Sequence, residues 1–312
     1  MKIIVLGGCG YIGSVLIKKL LEKKHQLLII DTQWFGNYLK PQKNCKIIKN
    51  DIRDLKKISF KGYSVIIHLA NIANDPASEL NPSLSWEVNV LSFNQILEKA
   101  IKEGVKKVIY SSSGSVYGVK KEKKVTEILA PHPISIYNKT KMIAERVLLS
   151  FKNKIEIIII RPATVCGLSP RMRLDVSVNL LSIQALQKKE ITIFGGKQKR
   201  PNIHISDLTD VFILFVKKKV KSGIYNAGFE NMKILEIGKL IKKNIICKIK
   251  IKKINDIRSY NLDSSKLLKI GFKPKYSVQD AIKQIKEAYL NGNLKVNKKW
   301  YSVKWLKSIK VI

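Results

Sequence analysis

Six short runs of β-branched and other apolar residues mark the first half of the chain, at 2–7, 26–31, 45–50, 64–70, 107–113 and 155–161. Helix-period stretches lie between them near 11–24, 83–103 and 137–150. The runs are apolar throughout, not at every second residue, so each strand must be buried on both faces. This alternation predicts an α/β fold, a doubly wound parallel sheet of the Rossmann type with helices on both sides. Beyond residue 170 the pattern loosens into a helix near 174–188, short strands at 191–194 and 223–227, and helices near 233–243 and 278–290. The expected division is residues 1–168 for the sheet domain and 169–294 for a smaller C-terminal α/β lobe with some returning elements. A tail at 295–312 carries Trp300 and Trp305 among lysines, and the sequence leaves open whether it packs on the body or makes a contact.

Charge narrows the partners. The 59 lysines and arginines outnumber 23 acidic residues, for a formal net charge of +36. The lysines are dispersed over presumed helix surfaces and no aromatic RNA-binding pattern accompanies them, so a solvated surface is favoured over a nucleic-acid site. Such a surface still attracts small polyanionic substrates. Cys9, Cys45, Cys166 and Cys247 form no C-x-x-C pair, and the four histidines have no ligand spacing. No metal site and no disulfide framework are expected, which fits reduced thiols in the cytoplasm. The N-terminus runs straight into a strand, and no apolar run reaches the roughly 18–20 residues of a membrane span, so neither a secretory leader nor a membrane helix is expected.

The first strand runs into Gly7-Gly8-Cys9-Gly10-Tyr11-Ile12-Gly13, where a helix begins. Glycines at 7, 10 and 13 allow a tight turn, a close backbone approach and a close helix–strand contact. The helix N-terminus then offers N–H groups and a positive dipole end to a pyrophosphate. Asp31 ends the second strand, where a carboxylate binds the adenosine ribose hydroxyls and repels a 2′-phosphate. NAD is therefore the expected cofactor. Asp51-Ile52 follows the third strand, with Asp51 placed to reach the adenine amino group, and Leu69-Ala70 closes the fourth beside the pyrophosphate. His68 on that strand is read as a hydrogen-bonded core histidine and is assigned no chemistry.

Tyr137 and Lys141 open a helix one turn apart and so share a face. A phenol with a pKa near ~10 needs help to act as a base at neutral pH, and a neighbouring ammonium supplies it. Ser113, in Ser111-Ser112-Ser113-Gly114-Ser115-Val116-Tyr117-Gly118 at the end of the fifth strand, is placed to bind the same substrate hydroxyl. Taken together, these segments resemble the extended short-chain dehydrogenase/reductase family, in particular its sugar-nucleotide epimerase/dehydratase branch. Arg161-Pro162-Ala163-Thr164-Val165-Cys166-Gly167 resembles its block after the sixth strand, where Tyr more usually precedes the Gly. Arg200-Pro201-Asn202-Ile203-His204-Ile205-Ser206-Asp207 resembles a later motif. The similarity covers about residues 1–290.

The resemblance implies Ser113, Tyr137 and Lys141 as the catalytic triad. The cofactor contacts expected are Gly7, Gly10, Tyr11, Ile12, Gly13, Asp31, Asp51, Ile52, Leu69, Ala70 and Asn89, with Tyr137 and Lys141. On the substrate side it implies Ser113 and Ser115, and Asn179, Arg200 and Arg258 against a nucleotide diphosphate or its ribose. Only seven of the basic residues are arginine, and Arg171, Arg173, Arg200 and Arg258 fall in the second lobe. In so lysine-rich a chain, that usage favours planar bidentate donors for a diphosphate. The family also implies a homodimer through the helices near 83–103 and 137–150.

Dehydratases of the branch carry an Asp-Glu pair just after the serine, and here Gly114 and Ser115 stand there. Epimerisation beside a ketone often uses a cysteine two positions beyond the serine, and that position is Ser115. Cys166 reads as a small buried residue. C4 epimerisation through a transient 4-keto sugar needs only the triad, as does reduction of a 4-keto nucleotide sugar by NAD(P)H. Asp31 favours NAD and a self-contained redox cycle, and so the epimerase. A non-catalytic NAD-binding or nucleic-acid-binding protein on the same fold commonly loses the Tyr or Lys kept here.

Overall fold

The computed structural model describes residues 1–254 and 259–309. Strand β1 (Lys2–Leu6), buried in all but its first residue, leads through the glycine turn into α1 (Tyr11–Glu22). β2 (Gln26–Asp31), β3 (Cys45–Lys49) and β4 (Val65–His68) follow. Short helices α2 (Asp75–Ser78) and α3 (Pro82–Trp86) run through a π-helical turn, Glu87–Leu91, into α4 (Ser92–Lys102). Next come β5 (Lys107–Ser111), a 3-10 turn at Gly114–Tyr117, α5 (Ile136–Ser150), β6 (Glu156–Pro162) and β7 (Thr164–Cys166). The rest of the chain is α6 (Ser177–Lys188), β8 (Glu190–Phe194), β9 (Lys199–His204), α7 (Ile205–Lys217), β10 (Gly223–Ala227), β11 (Glu230–Lys233), α8 (Ile234–Asn244), β12 (Lys248–Lys252), α9 (Ser265–Lys269), α10 (Val278–Leu290) and α11 (Ser302–Ser308).

The main sheet has the order β10-β6-β5-β4-β1-β2-β3, and every neighbouring pair is parallel. The period of two along each strand splits its side chains between two cores. Ile3, Val5, Ile29 and Ile67 pack under α1 and α7, against Leu16, Ile17, Val211 and Phe215. Ile4, Leu6, Ile30 and Ile66 pack on the other face against Phe93 and Ile96 of α4 and Leu148 of α5. Each fully buried isoleucine contributes about 1.5–3 kcal/mol relative to exposure. The chain winds outward from β1 in both directions, so the order reverses between β1 and β4. A crevice opens there at the strands' C-terminal ends.

A third core, with Leu181, Ile237 and Ile282 from α6, α8 and α10, supports the second lobe. Two features depart from the sequence reading. The stretch near 83–103 is helical throughout but holds a π-helical turn that the sequence did not signal, where Asn89 is fully buried and binds the backbone of Ile72. Also, β10 leaves the second half of the chain to become the edge strand beside β6.

Candidate active site

Gly7, Gly10, Tyr11, Ile12 and Gly13 line the crevice together with Asp31, Asp51, Ile52, Leu69 and Ala70. Gly7 sits at φ +80, and a Cβ there would lie 2.4 Å from the Ala70 nitrogen. A Cβ on Gly13 would lie 2.4 Å from the Gly8 oxygen, so α1 approaches β1 only with glycine there. Gly10 is the α1 N-cap and offers no side-chain hydrogen bond, which leaves the first-turn N–H groups for an anion. Asp31 accepts from Cys9 N at 2.9 Å and Gln33 N at 2.6 Å, fixing its carboxylate at the crevice, and burial raises its pKa. Asp51 lines the crevice too, but its carboxylate is gripped by Arg53 through Nε at 3.1 Å and Nη2 at 3.0 Å. A close backbone cradle, an uncapped helix end and a fixed carboxylate fit a dinucleotide.

The second cluster stands where β5 ends and α5 begins. Ser135 caps α5 by accepting from Asn138 N at 3.1 Å, which sets where the helix starts and aims Tyr137. One turn on, Lys141 is 2% exposed, and its Nζ donates to the Ser111 carbonyl at 2.7 Å. Asn71, with its amide oxygen turned toward the lysine, accepts from Nζ at 2.7 Å. The ammonium lies 5.7 Å from the Tyr137 ring centroid and 4.6 Å from that of Tyr110. Burial pulls the Lys141 pKa down to about 7, opposed by the charge of Glu145. Burial pushes Tyr137 up to about 12, while Arg173 and a hydrogen bond with Ser113 pull it the other way. Ser113 Oγ in turn lies 2.7 Å from Ser115 Oγ, which donates to Asn138 Oδ1 at 2.6 Å.

Below this chain lies a buried ion pair. Arg161 on β6 donates to Glu145 on α5 through Nε at 2.9 Å and Nη2 at 2.5 Å, and Ser112 donates to the same carboxylate at 2.5 Å. Tyr137, Lys141 and Glu145 recur at four-residue intervals along one helix face, so this pair fixes the axial position of the face bearing the tyrosine and lysine. The neighbouring His68 is buried between Phe93, stacked at 4.5 Å, and Tyr110, edge-on at 5.7 Å. Among the described residues its ring nitrogens find no partners, contrary to the hydrogen-bonded histidine expected, and burial lowers its pKa to about 3, so it stays neutral.

Over residues 3–228 the sequence matches the NAD dependent epimerase/dehydratase family. The chain belongs to that family. A putative UDP-glucose 4-epimerase of Methanocaldococcus jannaschii is 28% identical over 304 residues, spanning 93% of this chain and 99% of the relative. An uncharacterized UDP-glucose epimerase of Bacillus subtilis is 33% identical over 262 residues, 78% of this chain and 81% of that protein. The solved structure of Thermotoga maritima UDP-glucose 4-epimerase with UDP-glucose matches with a TM-score of 0.87 at 27% identity, covering 94% of this chain and 100% of that one. A Methanobrevibacter ruminantium UDP-N-acetylglucosamine 4-epimerase in complex with UDP-N-acetylmuramic acid matches at 0.86 and 25% identity, over 93% of this chain and 98% of that one. This member of the epimerase/dehydratase family is an NAD-dependent enzyme.

Several family positions have their side chains occupied by the protein itself. Asn89 accepts from Ile72 N at 2.9 Å and donates to Ile72 O and Thr140 Oγ1, each at 3.2 Å, behind the crevice wall. Asn179 is fully buried, accepting from Gly167 N and donating to the Tyr11 hydroxyl and the Arg173 carbonyl, each at 3.0 Å. The Tyr11 hydroxyl donates to the Gly167 carbonyl at 2.8 Å, tying α1 to the second lobe. Arg200 lies on β9, and Arg258 falls outside the described residues. Arg171 and Arg173, grouped by sequence with the substrate side, line the crevice beside the glycine turn.

Sequence reasoning also missed what the segment 71–76, a loop running into α2, does with its amides and acid. Asn71 faces Lys141, Asn74 caps α2 and hydrogen-bonds Asp175, and Asp75 accepts from Ser135 at 2.8 Å. Cys166 is buried, as expected, with its thiol directed to the Ile203 carbonyl.

Proposed function

We propose that this enzyme inverts C4 of a nucleoside-diphosphate sugar of the UDP-linked class. The observation that carries the reading is the Ser113–Tyr137–Lys141 cluster, with Gly114 and Ser115 where a dehydratase carries acid groups. Tyr137 takes the proton of the C4 hydroxyl, helped by the Lys141 ammonium, and Ser113 binds the same oxygen. NAD, held by the glycine turn and Asp31, would supply a reversible hydride acceptor at C4. The ketone then turns its other face, and Tyr137 gives its proton back to the new hydroxyl. Proton and hydride both go home, so the cycle is a net isomerisation that consumes no cofactor.

We assign residues 1–168 to the cofactor and the chemistry and 169–294 to holding the substrate, with Ser115, Asn179, Arg200 and Arg258 on the sugar nucleotide. Asn179 does so through the loop it clamps, whereas Arg200 donates hydrogen bonds to the diphosphate oxygens. Two copies pair through α4 and α5, a reading supported by Leu91, 67% exposed where α4 begins. Free cysteines support a reducing, cytoplasmic setting. No helix among the described residues is long and apolar enough to cross a membrane.

The test is to identify the nucleotide released from the purified protein by heat, then to follow UDP-glucose and UDP-N-acetylglucosamine by proton NMR. The expected outcome is interconversion with the 4-epimer at constant NAD. Stoichiometric oxidation of added NADH or NADPH by a 4-keto sugar, with no interconversion, sinks the proposal in favour of a reductase. Light scattering of the eluted protein at dimer mass supports the paired state, and monomer mass removes it.

A further inference from the structure

The loop from β7 to α6 alternates like a strand. Met172 and Leu174 are fully buried in the second lobe's core, while Arg171 and Arg173 between and beside them line the cofactor crevice. The two arginines are not equivalent. Arg173 is held by Asp175 through Nε at 3.0 Å and Nη2 at 3.3 Å, so its charge is balanced. Arg171 is 3% exposed and pairs with no carboxylate among the described residues. Its guanidinium lies 4.0 Å from the Phe35 ring centroid, Nη2 donates to Ser302 Oγ at 3.3 Å, and Nε is buried without an acceptor among the described residues.

A buried guanidinium that no carboxylate contacts directly is costly, Asp175 and Asp31 acting on it only from a distance, and a chain poor in arginine has placed one at a crevice already built for an anion. The same crevice holds the uncapped α1 N-terminus, so a diphosphate there would meet both. The C-terminal segment holds Arg171 in position. Leu174 N donates to Trp300 O at 2.8 Å, Ser302 Oγ reaches Asp175 at 3.4 Å, and Trp305 Nε1 donates to the Trp34 carbonyl at 2.6 Å. Leu306 of α11 lines the crevice itself.

We propose that Arg171 binds the pyrophosphate of the dinucleotide, and that α11 is a strap fastening Arg171 and the adenosine side of the crevice shut. The inference rests on the NAD site and stands apart from the C4 reading.

Calorimetric titration of nucleotide-stripped Arg171→Gln with NAD, NADP, ADP and adenosine tests the first part. The loss of one charge-assisted bond predicts about a tenfold to hundredfold weaker NAD and ADP, with adenosine unchanged. Arg171→Lys, which keeps the charge, should recover part of that loss. An equal fall for adenosine makes Arg171 merely structural, a fall confined to NADP makes it a 2′-phosphate contact, and no fall removes the contact. Each of these three outcomes overturns the proposal. For the strap, stopped-flow release of NAD followed by tryptophan fluorescence should quicken several-fold in Trp305→Phe, and an unchanged rate overturns that part.

Discussion

Replacing Lys141 with methionine should make the nucleotide-free protein more stable while disabling it. Methionine keeps most of the apolar stem and removes the charge. A lysine held near pKa 7 in the fold and 10.5 when unfolded lowers stability by about 5 kcal/mol where both states are protonated, at 1.36 kcal/mol per unit. Against that gain, the Ser111 carbonyl and the Asn71 amide oxygen lose their donor and the Tyr110 ring its cation, together roughly 2–4 kcal/mol. The net gain at pH 6.5 is therefore only about 1–3 kcal/mol, but its pH dependence is sharper than its size. The folded-state pKa is depressed and the group is a base. Above pH 7 the folded lysine sheds its proton while the unfolded one keeps it, and the wild type gains stability as pH rises toward 10.5. The advantage of the variant should shrink by about 3 kcal/mol between pH 6.5 and 9.5. Urea unfolding of both proteins, stripped of nucleotide, across that range measures it. A difference that stays level with pH refutes the buried, deprotonating lysine, whatever its sign.

Three further outcomes are expected. Tyr137→Phe should lower kcat by about 10²–10⁴ in the NMR interconversion assay, with the fold unchanged by urea unfolding. Glu145→Gln strips the charge facing buried Arg161 and should cost about 3–5 kcal/mol in urea unfolding. It should also lower the Lys141 pKa further, because the Glu145 charge supports the ammonium, and a pH titration of the variant's stability reads that shift. Gly7→Ala puts a methyl against Ala70 at a positive φ, so a loss of about 1–3 kcal/mol is expected, with no NAD recovered on heat release.

The sheet, the glycine turn and the Tyr137/Lys141 pair were legible because each is local: neighbouring residues define strand, turn and helix face. Asn89 and Asn179 were legible as special but not as clamps, since each is defined by backbone partners 17 and 12 residues away. The arginines were sorted by lobe, yet the run Arg171-Met172-Arg173-Leu174 already alternates polar and apolar, the signal that the two face away from their own lobe's core. The tail was opaque for a simpler reason. Trp305 finds its partner at Trp34, 271 residues earlier, and no spacing rule reaches that far.

The place of β10 bears on synthesis. Until residue 227 has left the ribosome, β6 is an open edge carrying four consecutive isoleucines, Ile157 to Ile160, each fully buried only once the sheet is complete. An unpaired, apolar parallel edge invites pairing with another chain. A fragment cut at residue 168 would keep every residue of the glycine turn and the triad and still lack its outermost strand, so it should aggregate where the intact chain folds.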